Sequence, residues 1–229
     1  MSGALIVVEG LDGSGKTTQT ELLGQSFREA GTPCRRVKFP CYDQPFSAPV
    51  RMYLHGEFGT EPGDVNAYAA SSFFAVDRFA SFRKFWRGDY ENGTVILTDR
   101  YTTSNLVYQL PKLPRGEWDA FLSWLCDFEY GKLGIPEPDL TVFLDMPQEV
   151  SQRLLDSRYR ENGGERDIHE SNAPYLSACR ESASYAAERL GWRTVSCAEN
   201  GKPRSVEAIR GDIAEIVRKA FRGQGKKLL

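Results

Sequence analysis

A chain of 229 residues can bury a full hydrophobic core and suits one compact domain, or one domain with a small insert. Its 29 Lys and Arg are balanced by 31 Asp and Glu of interspersed sign, so no general basic field exists and sequence-independent nucleic-acid binding is excluded as an expectation. No apolar stretch approaches membrane-spanning length, and the five scattered cysteines form no CxxC pair, which reads as reduced thiols in a cytoplasmic protein.

The first apolar run, Ala4–Val8, lacks a basic region before it and is cut short by Glu9, so it reads as a strand rather than a signal peptide. Gly10-Leu11-Asp12-Gly13-Ser14-Gly15-Lys16-Thr17 follows at once: glycine, four residues, then Gly-Lys and a hydroxyl residue. A strand entering a glycine-rich turn that opens a helix points backbone N–H groups at one spot, where a triphosphate is stabilised. Lys16 is then placed to reach the β and γ phosphates and Thr17 to hold Mg²⁺. The helix carries Leu22, Leu23 and Phe27 inward and ends near Gly31.

A second run, Arg35–Phe39, ends at Pro40. A helix over residues 66–87 places Ala67, Ser71, Phe74 and Arg78 on one face; Phe74 can stack on a pyrimidine while Arg78, one turn on, donates to a carbonyl at its edge. Phe79, Phe82, Phe85 and Trp86 read as core or as a subunit contact. The third run, Thr94–Thr98, leads into Asp99-Arg100-Tyr101, a carboxylate suited to Mg²⁺ or its water beside a cation suited to a second phosphate. Leu140–Asp145 and Arg193–Cys197 are the fourth and fifth runs. Between them, the stretch Ser157–Asp167 is the expected mobile segment, with Arg153, Arg158, Arg160 and Arg166 about it. The last helix is marked by Val206, Ile209, Ile213, Ile216, Val217 and Ala220. His55 and His169 are too far apart in sequence to suggest zinc; any metal is expected to be Mg²⁺ carried with a nucleotide. Strands alternating with helices predict a doubly wound α/β layer structure with its site beyond the carboxyl ends of the strands.

In order and spacing, Gly10–Thr18, Phe39-Pro40-Cys41-Tyr42, Phe74 to Arg78, and Asp99-Arg100-Tyr101 through Ser104 to Tyr108-Gln109 resemble the motif set of thymidylate kinases, with a bacterial cast. The likeness runs from the first strand to about Tyr185. It implies a P-loop NTP hydrolase-like three-layer fold: a parallel five-stranded sheet flanked by helices, residues 1–229 as one kinase domain, and a short lid at about 157–167. It also implies ATP and dTMP as substrates, Mg²⁺ as cofactor, a homodimer, and no nucleic acid or membrane as partner.

The same resemblance assigns roles. ATP falls to Gly10, Leu11, Asp12, Gly13, Ser14, Gly15, Lys16, Thr17, Thr18 and Arg153. The acceptor falls to Asp12, Phe39, Pro40, Tyr42, Arg51, Phe74, Arg78, Arg100, Ser104, Asn105 and Tyr108. Within these sets Phe74 and Arg78 read thymine, Asn105 addresses the base edge, Phe39 and Pro40 wall the pocket, and Tyr108 sits against the 2′ edge of the sugar. Lys16, Asp99, Arg100, Arg158 and Arg160 are the catalytic set, with Thr17 and Asp99 at the metal, directly or through water. Gly13 stands where some relatives carry a basic residue, so positive charge is expected from the lid instead. Tyr42 departs from an arginine found in some members, with Arg51 or Arg100 to compensate, and His169 from a frequent tyrosine. Asp167 and Glu170 are read as near Mg²⁺ waters or the sugar, or as acidic residues in a helix's first turn. Another pyrimidine-monophosphate or deoxynucleoside kinase remains open on residues alone. A nucleotide switch is disfavoured, since no Asn-Lys-x-Asp string reads guanine.

Overall fold

In β1 (Leu5–Gly10) successive side chains point to opposite faces and every residue is buried. Ile6 and Val8 enter one core while Leu5 and Val7 enter another. A strand buried on both faces needs an apolar run rather than an alternating pattern, and a central parallel strand is such a place. The structure is a computed structural model that describes residues 2–162, 169, 172–222 and 229.

β2 (Cys34–Val37), β3 (Val95–Thr98), β4 (Leu140–Asp145) and β5 (Arg193–Ser196) join β1 in one parallel sheet of order β2-β3-β1-β4-β5. This is the doubly wound sheet expected. Each segment lies within a residue or two of its apolar run. β2 and β5 are edges: Val195 alone of β5 is buried, so burial on both faces holds only for the three central strands. Beyond β5 a small antiparallel ribbon, β6 (Ala198–Glu199) with β7 (Lys202–Pro203), was not foreseen; two-residue strands have no periodicity to detect.

Helices α1 (Lys16–Glu29) and α9 (Val206–Arg222) cover one face, packing Leu23, Phe27, Ile209, Ile213, Val217 and Phe221 against Ile6, Val142 and Leu144. The other face is covered by α5 (Thr102–Gln109), α6 (Trp118–Cys126) and α8 (Ala173–Leu190), whose Leu106, Phe121 and Ala183 meet Leu11 and Phe143. Chain order is completed by α2 (Ala48–Leu54), α3 (Ala67–Ser81), α4 (Arg87–Glu91) and α7 (Gln148–Asn162).

The single helix expected over 66–87 is divided. Asn66 caps α3, its side chain accepting from the Ala69 amide at 2.9 Å, and a π-helical turn over Phe82–Trp86 links it to α4. The wider turn brings Phe82 and Trp86 onto the core together with Phe39, while Tyr68, Val76 and Phe79 stay exposed. A second π-helical turn, Asp127–Lys132, follows α6 and was not foreseen either. It carries Glu129 into the interior.

Phe27 is fully buried between α1 and α9. Phe27→Ala is expected to cost about 3–5 kcal/mol, read as a lowered denaturant midpoint with an unchanged slope.

Candidate active site

The loop from Gly10 to Gly15 joins β1 to α1. Gly15 occupies the left-handed region at φ 86° and starts the helix with no side-chain cap and no acidic residue in its first turn. The helix N-terminus therefore keeps its partial positive charge for an anion. Lys16 is 7% exposed and folds back, donating to the Leu11 carbonyl at 2.8 Å and lying 3.3 Å from Asp12. Burial and nearby Arg100 pull its pKa below the usual lysine value, with Asp12 opposing. Gly13 has φ 78°, and a Cβ there would stand 2.5 Å from the Ser151 carbonyl oxygen of α7. Thr17 and Thr18 are exposed at the start of α1. The Thr17 hydroxyl donates to Asp99 Oδ2 at 2.7 Å.

Asp12 is the junction. Its Oδ1 pairs with Arg100 and Lys16, and its Oδ2 accepts from the Tyr108 hydroxyl at 2.8 Å. Burial favours the neutral acid, but Arg100, Lys16 and Tyr108 outweigh it and hold the carboxyl well below the usual range. Three residues earlier, on β1, fully buried Glu9 accepts from the Thr103 and Ser104 hydroxyls at 2.6 and 2.7 Å. Both hydroxyls belong to the first turn of α5, so the phosphate loop and α5 are locked together.

From this junction a cleft with about 550 Å³ of empty space, part of it open to solvent, runs toward α3. Asp12, Arg100 and Tyr108, joined through Asp12, line it together with Phe74, Arg78 and Asn105 and with Phe39, Pro40, Tyr42 and Ser104. Among the acceptor residues read from sequence, Arg51 alone is off the wall. Its Nη1 donates to the Tyr42 and Gln44 carbonyls at 2.5 and 3.1 Å, holding the loop that carries Tyr42.

Arg78 is 2% exposed and engages Glu129 through two hydrogen bonds of 2.6 Å. Replacing it by alanine would strand a buried carboxylate, so that exchange perturbs folding as well as any ligand contact. Asp77, beside it, accepts from the Cys41 amide at 3.1 Å and from the Ser47 hydroxyl, which fixes the Phe39-Pro40-Cys41 turn. Burial raises its pKa against those bonds.

The cleft also receives His169. Its ring stacks on Tyr108 at 5.3 Å, and its Nε2 lies 2.7 Å from the Tyr53 hydroxyl, to which Lys112 donates at 2.8 Å. Burial and Lys112 push His169 down to about 3; burial lowers Lys112 to about 8. Gln109, fully buried on the same wall, has no hydrogen-bond partner for either amide atom among the described residues.

Arg153 and Arg160 are exposed on α7; Arg153 donates to the Gly201 carbonyl at 2.7 Å and Arg160 to that of Asp156 at 3.2 Å. The first part of the segment read as a lid, 157–162, continues α7. The Arg158 side chain, residues 163–168 with Arg166 and Asp167, and Glu170 lie outside the described residues. Asp145, at the end of β4, pairs with Arg180 of α8 at 3.1 Å.

Glu129, Asp77, Gln109, Tyr53 and Lys112 were absent from the sequence-derived site. Asp77 and Gln109 adjoin recognised residues, Arg78 and Tyr108, and were within reach. Nothing local marks Glu129, Tyr53 or Lys112, which depend on distant packing.

The donor set at Thr17 and Asp99, a hydroxyl and a carboxylate, is hard oxygen and fits Mg²⁺. Among the described residues no cluster of three or more His, Cys, Asp or Glu could hold a metal unaided, so the remaining ligands would be phosphate oxygens and water.

Residues 8–209 match the family model described as thymidylate kinase. The chain is 34% identical over 191 residues to a thymidylate kinase of Mycobacterium tuberculosis strain H37Rv, covering 82% of this chain and 87% of that one. It is 34% identical over 158 residues to a probable thymidylate kinase of Pyrococcus abyssi, covering 69% and 72% respectively. A solved thymidylate kinase from Candida albicans superposes with a TM-score of 0.67 at 21% identity, covering 95% of this chain and 92% of that one, which is a likeness of fold.

Buried and neutral, His169 resists a proton that the unfolded chain accepts near pH 6.5. Its folded pKa is depressed, so the stabilisation is present above pH 6.5 and is lost as pH falls toward 3. Between pH 7 and pH 5 the protein is expected to lose about 2 kcal/mol through this group. Urea titrations of the wild type and His169→Gln at both values check it: the variant should lack that part of the loss.

Proposed function

This chain belongs to the thymidylate kinase family, and from that premise we propose that it transfers the γ-phosphoryl group of ATP to the 5′-phosphate of dTMP, giving dTDP and ADP. One observation carries the reading. Asp12 and Arg100 belong at once to the phosphate loop's charge network and to the wall of a cleft that Phe74, Arg78 and Asn105 also line. A nucleotide whose base meets those three residues would bring its phosphate toward Asp12 and Arg100, beside the loop, as a transfer between two phosphates requires.

The acceptor phosphate is already an anionic nucleophile at neutral pH, so the protein has little acid–base chemistry to perform. Its task is to align two polyanions and neutralise the charge between them. We assign Lys16 and the loop N–H groups to the donor's phosphates, and Arg100 to the point where donor and acceptor meet. Thr17 and Asp99 would hold Mg²⁺, which would neutralise phosphate charge when bound with ATP. Further positive charge is assigned to Arg158 and Arg160, and the adenine side to Arg153. Tyr108 stacked on His169 forms the sugar wall.

As a second proposal, Tyr68, Val76 and Phe79, exposed in a line on α3, offer a face to a second copy of the chain in a homodimer. The five cysteines are unpaired, which supports a reducing, cytoplasmic setting.

An ADP-release assay with dTMP, dUMP, dCMP, UMP and GMP tests the reaction. The reading requires dTMP to be used best and dUMP measurably, because one methyl group in an apolar pocket is worth only about 1–3 kcal/mol. Turnover of a purine monophosphate alone would sink it. Lys16→Ala should lower turnover with every acceptor by roughly 10²–10³-fold or more.

A further inference from the structure

Glu129 is fully buried on the π-helical turn after α6 and accepts four hydrogen bonds. Oε2 takes Arg78 Nε at 2.6 Å and the Thr102 hydroxyl at 2.8 Å; Oε1 takes Arg78 Nη2 at 2.6 Å and Asn105 Nδ2 at 3.2 Å. Its acceptor capacity is full. The second neighbour of Asn105 Nδ2 is the Ser71 carbonyl oxygen at 3.4 Å, also an acceptor. An amide facing two acceptors has one chemically allowed orientation, with NH₂ toward them and oxygen away. Asn105 therefore brings an acceptor, Oδ1, to a cleft that it lines.

The same carboxylate turns Arg78. With Nε and one Nη2 hydrogen on Glu129 and Nη1 directed at the Tyr101 carbonyl at 3.3 Å, the guanidinium retains one hydrogen on Nη1 and one on Nη2. Donors from Arg78 beside an acceptor from Asn105 complement a pyrimidine that carries oxygen at C4 and hydrogen on N3. A 4-amino pyrimidine presents the reverse, an amino donor at C4 and an acceptor at N3.

Resting on the reading of this cleft as a pyrimidine-nucleotide site, we propose that Glu129 is a positioning residue that selects 4-oxo over 4-amino pyrimidines. It touches no substrate. It sets the amide orientation of Asn105 and the rotation of Arg78, and so decides which edge pattern the cleft accepts.

The test is kcat/KM for dTMP and dUMP, with dCMP measured both as acceptor and as inhibitor, on the wild type, Glu129→Gln and Glu129→Asp. Gln both donates and accepts, so Asn105 is free to turn over. The preference for dTMP over dCMP is expected to fall about tenfold or more, mainly in KM and in the inhibition constant, because the cost removed is that of an unpaired polar group. The dTMP-to-dUMP ratio should not move, since both bases present the same edge. Thermal melting runs beside each variant. Should Glu129→Gln fail to fold, Glu129→Asp keeps a negative charge against Arg78 while withdrawing from Asn105, and a several-fold loss of the same preference is expected. A folded variant in which dTMP, dUMP and dCMP weaken in equal proportion would overturn the proposal and leave Glu129 a structural partner of Arg78. A wild type that uses no pyrimidine monophosphate would overturn the reading of the cleft instead, and the role of Glu129 with it.

Discussion

The first turn of α5 lies between two fully buried carboxylates, and most of the site depends on how they are satisfied. Glu9 comes from the central strand and takes the hydroxyls of Thr103 and Ser104. Glu129 comes from the far side and takes Thr102 and Asn105. Four consecutive side chains are thus divided between two acceptors at a helix N-terminus, where negative charge is favoured by the helix dipole. Burial makes each bond costly to lose. The turn is consequently a rigid bracket, and what it carries, Asn105 and one turn later Tyr108, is fixed relative to both the phosphate loop and α3.

Charge within the site is arranged so that most ions have partners inside the protein. Asp12 shares Arg100 and Lys16, while Arg78 is neutralised by Glu129. On the reading proposed above, a phosphate beside Asp12 would join an existing network rather than meet bare cations. Its gain depends on geometry, on the number of donors it engages at once, more than on charge alone. Such a site distinguishes a correctly placed phosphate from an ion of the same charge, as a reaction between two mutually repelling anions demands.

Much of this was legible in the chain because it is written locally. The central strands are runs buried on both faces, the phosphate loop is one contiguous string, and Phe74 and Arg78 share a helical face. What escaped depends on contacts across the fold. Glu129 meets Arg78 across 51 positions, and Tyr53 meets His169 across 116, with no spacing rule to relate them. The π-helical turns escaped because one extra residue in a helix leaves no mark in a pattern of apolar residues. Arg51 is off the cleft wall for a simpler reason: proximity in sequence to the cleft says nothing about which way a long side chain turns, and here it turns to the carbonyls of Tyr42 and Gln44.

Gly13 leaves no room for a side chain because the backbone of α7 at Ser151 presses against it. The loop and that helix are therefore a matched pair of surfaces, and neither can be altered independently. A basic side chain placed at Gly13 would have to push α7 aside, and α7 itself carries Arg158 and Arg160. Charge at the loop and charge on α7 are in this sense coupled: a side chain can be added at Gly13 only if the helix that faces it moves too.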